Sequence, residues 1–391
     1  MKHVKVKNFG PIAEADVELG ELTILVGPQA SGKSLFVQLL KAYQDRGAIR
    51  RTLIQYGFDW LKESDALQRF NEIYFGGGMR DVWSTKSTLE IDRKRVNYPS
   101  TVTRARSDSP KTESVFLIPA QRVLALQDGW PKPFMGFDGD TPYALRYFSE
   151  SLRRLMAQGF GSSKAIFPQP RRLKEDLRRQ VDDAVYIGSR LEFETVRNQK
   201  RLVLRPIASG DPLPYGAWSA GQREFTPLLM GLYWLMPPRK RAKHEDVELV
   251  VIEEPEMGLH PKAVLAFGLL VLELMHRGYR VVVSTHSPVV LDLVWAMQEL
   301  HGLATKVAVQ ALQQIFNLSA SAQTKTLLEE GLAHRYRTYY FQQTEDGVRT
   351  QDISSLDPSA ESENIAGWGG LSGYSGHIAE TVGMALAREA S

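Results

Sequence analysis

The sequence predicts an α/β fold with an inserted helical lobe and a small C-terminal extension. Three apolar, strand-like runs carry this prediction, because each ends at a polar loop of a different kind. Leu22–Val26 leads into a glycine-rich loop, Leu249–Ile252 leads into an acidic loop, and a later apolar run ends at His286. This order predicts a core that binds a nucleotide.

A phosphate-binding loop follows the first of these runs. Glycines let backbone N–H groups turn inward around a phosphate, and the helix that begins near Gly32 adds the positive end of its dipole. Lys33 is placed to bridge the β- and γ-phosphates, and the Ser34 hydroxyl is a Mg²⁺ ligand. The loop, which matches the full G-x-x-x-x-G-K-S pattern, consists of Gly27, Pro28, Gln29, Ala30, Ser31, Gly32, Lys33 and Ser34. The alternative, an ordinary glycine turn before a helix, is weakened by the strand-like and helix-like flanks.

Composition limits the class of protein. With 391 residues, 43% of them hydrophobic, the chain is expected to form one elaborated domain or two lobes around a large core. A net charge of +3 is too small to indicate nucleic-acid binding by itself. The absence of cysteine excludes disulfides and zinc–thiolate sites and agrees with a cytoplasmic location. No signal peptide or membrane span is expected.

A further polar loop begins a helix in the second half of the chain. Ser219 is a candidate N-cap, and Phe225, Leu228 and Leu232 give the following segment one apolar face. A Ser-x-Gly-Gln sequence at a helix start offers a hydroxyl, a bare glycine amide and a helix dipole to a phosphate. Alone, the pattern is more typical of an ordinary cap than of a phosphate site.

Taken together, these motifs resemble ABC-type ATPase heads, a class of P-loop NTPase that includes SMC and RecF heads. The chain is most similar to bacterial ATPases of the overcoming-lysogenization-defect group and their relatives in phage-defence operons, such as the ATPase of the PARIS system. The resemblance rests on Gly27–Ser34, Phe116–Arg122, Ser219–Gln222, Val251–Glu256, Leu259–Pro261 and Ser284–Pro288. Two positions depart from the usual pattern. Ala220 stands where transporter heads have glycine, and Glu253 where many heads have aspartate, but either carboxylate can hold Mg²⁺ through water.

The resemblance implies a role for each motif residue, with ATP and Mg²⁺ as cofactors. Glu253 and Ser34 would hold Mg²⁺, and Glu254 would orient and deprotonate the attacking water. Gln121 would link the metal or the water to the helical lobe, and His286 would contact the γ-phosphate. In such heads, Ser219, Gly221 and Gln222 would close over ATP held by a second copy. Hydrolysis would then require a homo-oligomer of at least two chains.

Four segments follow from this arrangement. Residues 1–122 form the first half of the ATP-binding lobe, 123–189 a mostly helical insertion, and 190–300 the second half of the core. Residues 301–391 form a C-terminal extension and a candidate docking region, with a strand, a turn and a second strand over 337–348 and a helix over 378–387. A hairpin is expected between 191–194 and 201–204.

The function expected from the resemblance is a sensor or scaffold switch in antiviral defence. The sequence has no long heptad run, and no Asp-x-Asp pair follows His286, so a Toprim nuclease would be a separate effector chain. The alternatives are a RecF-like DNA-repair clamp and a module that binds ATP without hydrolysing it. Glu254 argues against the last of these.

Contact with DNA through the insertion is a second open question. Residues 151–205 contain 13 Lys/Arg against 6 Asp/Glu, including three arginine pairs that begin at Arg153, Arg171 and Arg178, and a basic loop spans 239–243. Paired arginines on a helix more often form a solvated face than a nucleic-acid site.

Overall fold

The computed structural model describes residues 1–104, 112–160, 163–169, 172–196, 199–208, 210–238, 243–371 and 382. Arg171, most of the basic loop 239–243 and nearly all of the helix expected over 378–387 lie outside these residues. In the part of the chain that is described, no helix is both long and apolar enough to cross a membrane.

Sixteen strands and twelve α-helices form the described structure. The strands are β1 His3–Phe9, β2 Ile12–Glu18, β3 Leu22–Val26, β4 Trp83–Ile91, β5 Lys94–Val96, β6 Val115–Ile118, β7 Leu126–Gln127, β8 Trp130–Pro131, β9 Ala165–Phe167, β10 Arg190–Val196, β11 Gln199–Arg205, β12 Leu213–Pro214, β13 Leu249–Glu253, β14 Arg280–Thr285, β15 Tyr336–Thr344 and β16 Gly347–Asp352. The helices are α1 Lys33–Gln44, α2 Arg46–Gln55, α3 Ala66–Phe75, α4 Tyr98–Thr103, α5 Tyr143–Gln158, α6 Glu175–Val181, α7 Ala220–Leu235, α8 Pro261–His276, α9 Pro288–His301, α10 Thr305–Ile315, α11 Ala322–Leu332 and α12 Glu363–Ala366. Turns of 3-10 helix cover Arg122–Ala125, Phe134–Gly136 and Tyr215–Ala217, and a π-helical turn covers Asp182–Tyr186.

A ten-stranded sheet organises the molecule, in the order β5-β4-β1-β2-β16-β15-β3-β14-β13-β6. Strands β15, β3, β14, β13 and β6 are parallel neighbours, whereas β1, β2, β4 and β5 pair antiparallel. Every residue of β3, β6 and β13 is buried, which agrees with their continuous apolar sequences and with helices on both faces. The fold is therefore the α/β P-loop NTPase type that the sequence predicted.

The parallel half of the sheet places the loops of the three predicted motifs at one edge. Glu253 at the end of β13 is in register with Ser284 of β14, and Thr285 is in register with Val26 at the end of β3. Because carboxyl ends of parallel strands meet at the same edge, the phosphate loop, the acidic loop and the histidine loop become neighbours.

The C-terminal hairpin lies inside this sheet. The sequence predicts the two strands but not their position: β15 pairs parallel with β3, and β16 pairs parallel with β2. Residues beyond 300 thus join the N-terminal strands to the nucleotide-binding core, so residue 300 does not mark an edge of the sheet. Parallel pairing between distant segments leaves no signal in the local pattern.

Residues 123–189 combine helices with short strands. Helices α5 and α6 and the π-helical turn occupy much of the segment, as the sequence suggested, but β7, β8 and β9 interrupt them. Strand β9 pairs with β10, which belongs to the expected hairpin of β10 and β11, so the lobe continues past residue 189. Pro131 and Pro168 lie in or beside these short strands, where proline opposes continuation of a helix.

Candidate functional site

The phosphate loop joins β3 to α1 through backbone conformations that favour glycine. Gly27 has φ +148 and Gly32 has φ +84. A Cβ atom on Gly27 would lie 2.6 Å from the carbonyl oxygen of Phe341 in β15, and one on Gly32 would lie 2.8 Å from the Ile12 side chain. A side chain at either position would displace its neighbours, so both glycines are required by packing as well as by φ.

Lys33 is the first residue of α1 and is nearly buried, with 5% of its surface exposed. Its Nζ donates hydrogen bonds of 2.8 Å to the carbonyl oxygens of Gly27 and Pro28. Burial lowers the pKa of Lys33 to about 8, and the nearby carboxylates, chiefly that of Glu254, oppose this shift. The Ser31 hydroxyl oxygen accepts a third hydrogen bond at 3.3 Å, so three neutral acceptors hold the ammonium group over the loop. Charged phosphate oxygens would make stronger partners for it.

Glu253 ends β13 with 1% of its surface exposed. Burial raises the pKa of its carboxyl group to about 7, although hydrogen bonds from the Ser34 hydroxyl and the Ala120 backbone N–H oppose the shift. Its Oε1 atom is buried without a hydrogen-bond partner. A buried carboxylate with one free oxygen beside a serine hydroxyl fits a Mg²⁺ ion, which usually takes one or two protein oxygens and fills its other positions with phosphates and water.

Glu254 follows in the left-handed region, with φ +43. Its N–H donates to the carbonyl oxygen of Ser284 at 2.8 Å, and its Oε1 lies 3.5 Å from Nε2 of His286. Interaction with His286 lowers the pKa of Glu254, although partial burial acts in the opposite direction. The structure therefore brings the expected base and the expected histidine together, with the carboxylate ionised at neutral pH.

Glu256 fixes the histidine loop from the side of the acidic loop. Its Oε1 accepts hydrogen bonds from the Thr285 hydroxyl at 2.7 Å and from the His286 backbone N–H at 2.5 Å. From the sequence alone, Glu256 is expected to be a structural or interface residue rather than a catalytic one. A glutamate three residues after the strand was a visible signal, but its partner is set by the pairing of β13 with β14.

One open cavity of about 760 Å³ connects these elements. Its wall contains most of the phosphate loop together with Glu254 and His286. It also contains residues of two segments that carry none of the predicted motifs, Gly10–Pro11 and Gly78–Val82. The lining residues are Gly10, Pro11, Gln29, Ala30, Ser31, Gly32, Lys33, Ser34, Leu35, Gly78, Met79, Asp81, Val82, Glu254 and His286. The Gly76–Gly78 run is a sequence feature beside the second segment, but glycines indicate only an interruption of regular secondary structure.

Ser219, Gly221, Gln222 and Gln121 do not line this cavity. Ser219 caps α7 and forms a capping box: its Oγ accepts from the Gln222 N–H at 3.3 Å, and the Gln222 side chain accepts from the Ser219 N–H at 3.1 Å. A Cβ atom on Gly221 would lie 3.1 Å from the carbonyl oxygen of Gly258, so the helix start packs on the acidic loop. Gln121 has an exposed side chain just before the 3-10 turn at Arg122.

The described arginines of the insertion have partners within the chain. Arg153 and Arg154 form ion pairs with Glu150, and Arg179 pairs with Asp176. Arg172 is buried and donates to the carbonyl oxygens of Tyr233 and Gly159. Arg153, Arg154 and Arg179 nevertheless remain about half exposed to solvent.

Comparison with known structures returns distant matches. The SMC head domain from Thermotoga maritima is 11% identical, with a TM-score of 0.38 over 90% of this chain and 98% of that chain. A dimeric bacterial ABC transporter cassette, MJ0796, is 12% identical, with a TM-score of 0.31 over 73% of this chain and 88% of that chain.

Comparison with protein sequences is more informative. An OLD nuclease from Thermus scotoductus is 21% identical over 339 residues, which cover 75% of this chain and 60% of that protein. The chain thus spans less than two thirds of this relative's length. Residues 22–292, which include the phosphate, acidic and histidine loops, match the family described as "AAA domain, putative AbiEii toxin, Type IV TA system". The chain therefore belongs to this AAA-domain family and is an ATPase.

Proposed function

We propose that this ATPase hydrolyses Mg²⁺-bound ATP between two copies of the chain and acts as a switch. One observation carries the proposal: a single cavity contains the phosphate loop, Glu254 and His286, whereas Ser219 and Gly221 lie outside it in the same chain. The start of α7 still presents unpaired backbone N–H groups and a helix dipole, which suit a phosphate. A second copy that supplied its Ser219–Gly221 segment would complete the site.

The motif residues in and beside the cavity have distinct chemical roles in this proposal. Lys33 and the loop N–H groups bind the phosphates, while Ser34 and Glu253 hold Mg²⁺, which would neutralise charge that develops during phosphoryl transfer. Glu254 orients the attacking water and accepts its proton, because its carboxylate is ionised at neutral pH. Glu256 holds the loop on which His286 lies. His286 therefore contacts the γ-phosphate before hydrolysis and loses that contact afterwards.

The switch controls a separate effector, for which we propose a Toprim nuclease in antiviral defence. The relative that matches three quarters of this chain is named a nuclease, and the family description names a toxin. Closure around ATP and opening after hydrolysis would give the effector two states to distinguish.

Mixing two inactive variants tests whether the site is shared. Glu254→Gln removes the base, and Ser219→Arg blocks the helix start, so each variant alone should lose at least about 100-fold in ATP turnover. In a shared site, a mixed dimer regains one intact site of two. An equal mixture should therefore recover up to about a quarter of wild-type turnover, the value reached when the intact site works independently of its neighbour. Glu245→Gln, at an exposed position outside the cavity, is the control for Glu254→Gln. No recovery in the mixture, with both variants folded and binding ATP, would show that each chain works alone.

A further inference from the structure

Arg122 connects two motifs that belong to different parts of the sequence. It follows Gln121 at the start of a 3-10 turn, and its side chain is completely buried. Nε donates to the carbonyl oxygen of Glu224 at 3.1 Å. Nη1 donates to the carbonyl oxygens of Glu253 and Glu254, each at 3.1 Å, and Nη2 donates to that of Pro255 at 3.3 Å.

The acceptors come from two segments only. Glu224 lies in the first turns of α7, and its carboxylate also lies 3.5 Å from Nη2 of Arg122. Glu253, Glu254 and Pro255 form the end of β13 and the start of the acidic loop. One planar guanidinium group thus satisfies buried carbonyls on both, an arrangement that the single ammonium group of a lysine cannot reproduce.

The backbones of the same two segments are also in close contact. A Cβ atom on Gly258 would lie 3.3 Å from Cγ of Glu224, and one on Gly221 would lie 3.1 Å from the carbonyl oxygen of Gly258. Because protein interiors are close-packed, a shift of α7 by even part of an ångström must move the acidic loop or break these contacts.

We propose that Arg122 is a positioning residue that couples the start of α7 to Glu254, so that the two ATP sites of a dimer turn over together. This inference rests on the proposed function, in which α7 of each copy contacts the nucleotide of the other. Through Arg122, a movement of α7 at one site displaces the base at the other. Arg122 does not line the nucleotide cavity, so it acts on turnover and cooperativity and leaves the affinity for ATP intact.

The test compares two conservative substitutions of buried arginines. In Arg122→Lys, turnover should fall roughly 10- to 100-fold, because small misplacements of a catalytic group cost that much. The Hill coefficient for ATP should fall from about 2 toward 1, since its upper limit is the number of coupled sites. Binding of a fluorescent ATP analogue to the isolated chain should change by less than about threefold, because uniform binding is unaffected.

Arg172→Lys is the matched control. Arg172 is also buried and also donates to backbone carbonyls, but those of Tyr233 and Met236 near the opposite end of α7 and that of Gly159 after α5. Its substitution should lower thermal stability by a similar amount while the Hill coefficient stays at the wild-type value. If Arg122→Lys loses stability alone and keeps wild-type turnover and cooperativity, Arg122 is only structural and the coupling is overturned.

A second variant covers the case in which Arg122→Lys does not fold. Glu224→Gln keeps the shape of a partly exposed side chain and the four carbonyl bonds, and removes only the ion pair. A lower Hill coefficient in Glu224→Gln supports the coupling. A wild-type protein that neither dimerises with ATP nor shows cooperativity would instead overturn the shared site itself. If the wild type shows cooperativity and both variants keep it, the shared site stands. Only the proposed coupling role of Arg122 is then overturned.

Discussion

At the scale of single residues, His286 has the largest effect on the ionisation of Glu254, and the charges of Lys33 and Arg122 add to it. The imidazole of His286 lowers the pKa of this carboxyl group. His286→Ala removes the imidazole and should raise the pKa of Glu254. Because a base must be deprotonated to act, the acidic limb of the activity profile should shift to higher pH in the variant. The measurement is the pH dependence of kcat/KM for ATP hydrolysis in the wild type and the variant.

Two further variants make the assignment specific to His286. His286→Asn keeps a hydrogen-bond donor but lacks the coulombic contribution of the imidazole, so its acidic limb should lie between those of the wild type and His286→Ala. His260→Ala changes a histidine that caps α8 and lies outside the cavity wall, so its profile should match the wild type. Acidic limbs that coincide in His286→Ala and the wild type would show that Glu254 is not the group that titrates.

Some residues of the site could be predicted from the sequence, and others could not. The phosphate loop was predictable because eight consecutive residues encode both its backbone shape and its charge. Glu254 and His286 were assigned from the order of motifs, and the structure brings them together. Arg122 was not predictable, since its partners are backbone carbonyls more than a hundred residues away, and carbonyls leave no mark in a sequence.

At the scale of elements, the C-terminal hairpin supports the phosphate loop. Phe341 of β15 is completely buried, its ring lies 5.7 Å from that of Phe36 in α1, and its carbonyl occupies the space beside Gly27. Phe341→Ala should therefore lower the free energy of unfolding by about 3 to 5 kcal/mol and weaken ATP binding as the loop loses its support. Denaturant unfolding and nucleotide titration measure the two effects.

A buried phenylalanine away from the loop separates stability from binding. Phe316 follows α10 and lines a small apolar cavity instead of the nucleotide cavity. Phe316→Ala should lose comparable stability while it binds ATP normally at temperatures where the protein is folded. Equal ATP affinities in the two alanine variants would contradict a specific role for the hairpin.

Sequence patterns predicted elements better than their partners. The apolar runs of β3, β6 and β13 specify strands buried on both faces, and the spacing after Ser219 specifies α7 and its cap. The insertion of β15 and β16 between β2 and β3 depends on contacts across more than three hundred residues. Strand pairing depends on the packing of the whole sheet. A local pattern can therefore identify a strand without identifying the strand that pairs with it.

At the scale of the whole molecule, the cavity and the start of α7 are separate surfaces of one copy, so the proposed switch exists only in an assembly. We expect the chain, purified with its genomic neighbours co-expressed, to hold a second protein in one nucleotide state and to release it in the other, because ATP favours the closed dimer that the effector distinguishes. Native mass measurement with and without ATP detects the change, and Glu254→Gln with ATP should stay in the ATP-bound form. Complexes made only of multiples of 44.0 kDa in both states would contradict the effector. They would favour the RecF-like clamp, for which acceleration of hydrolysis by duplex DNA is the deciding observation.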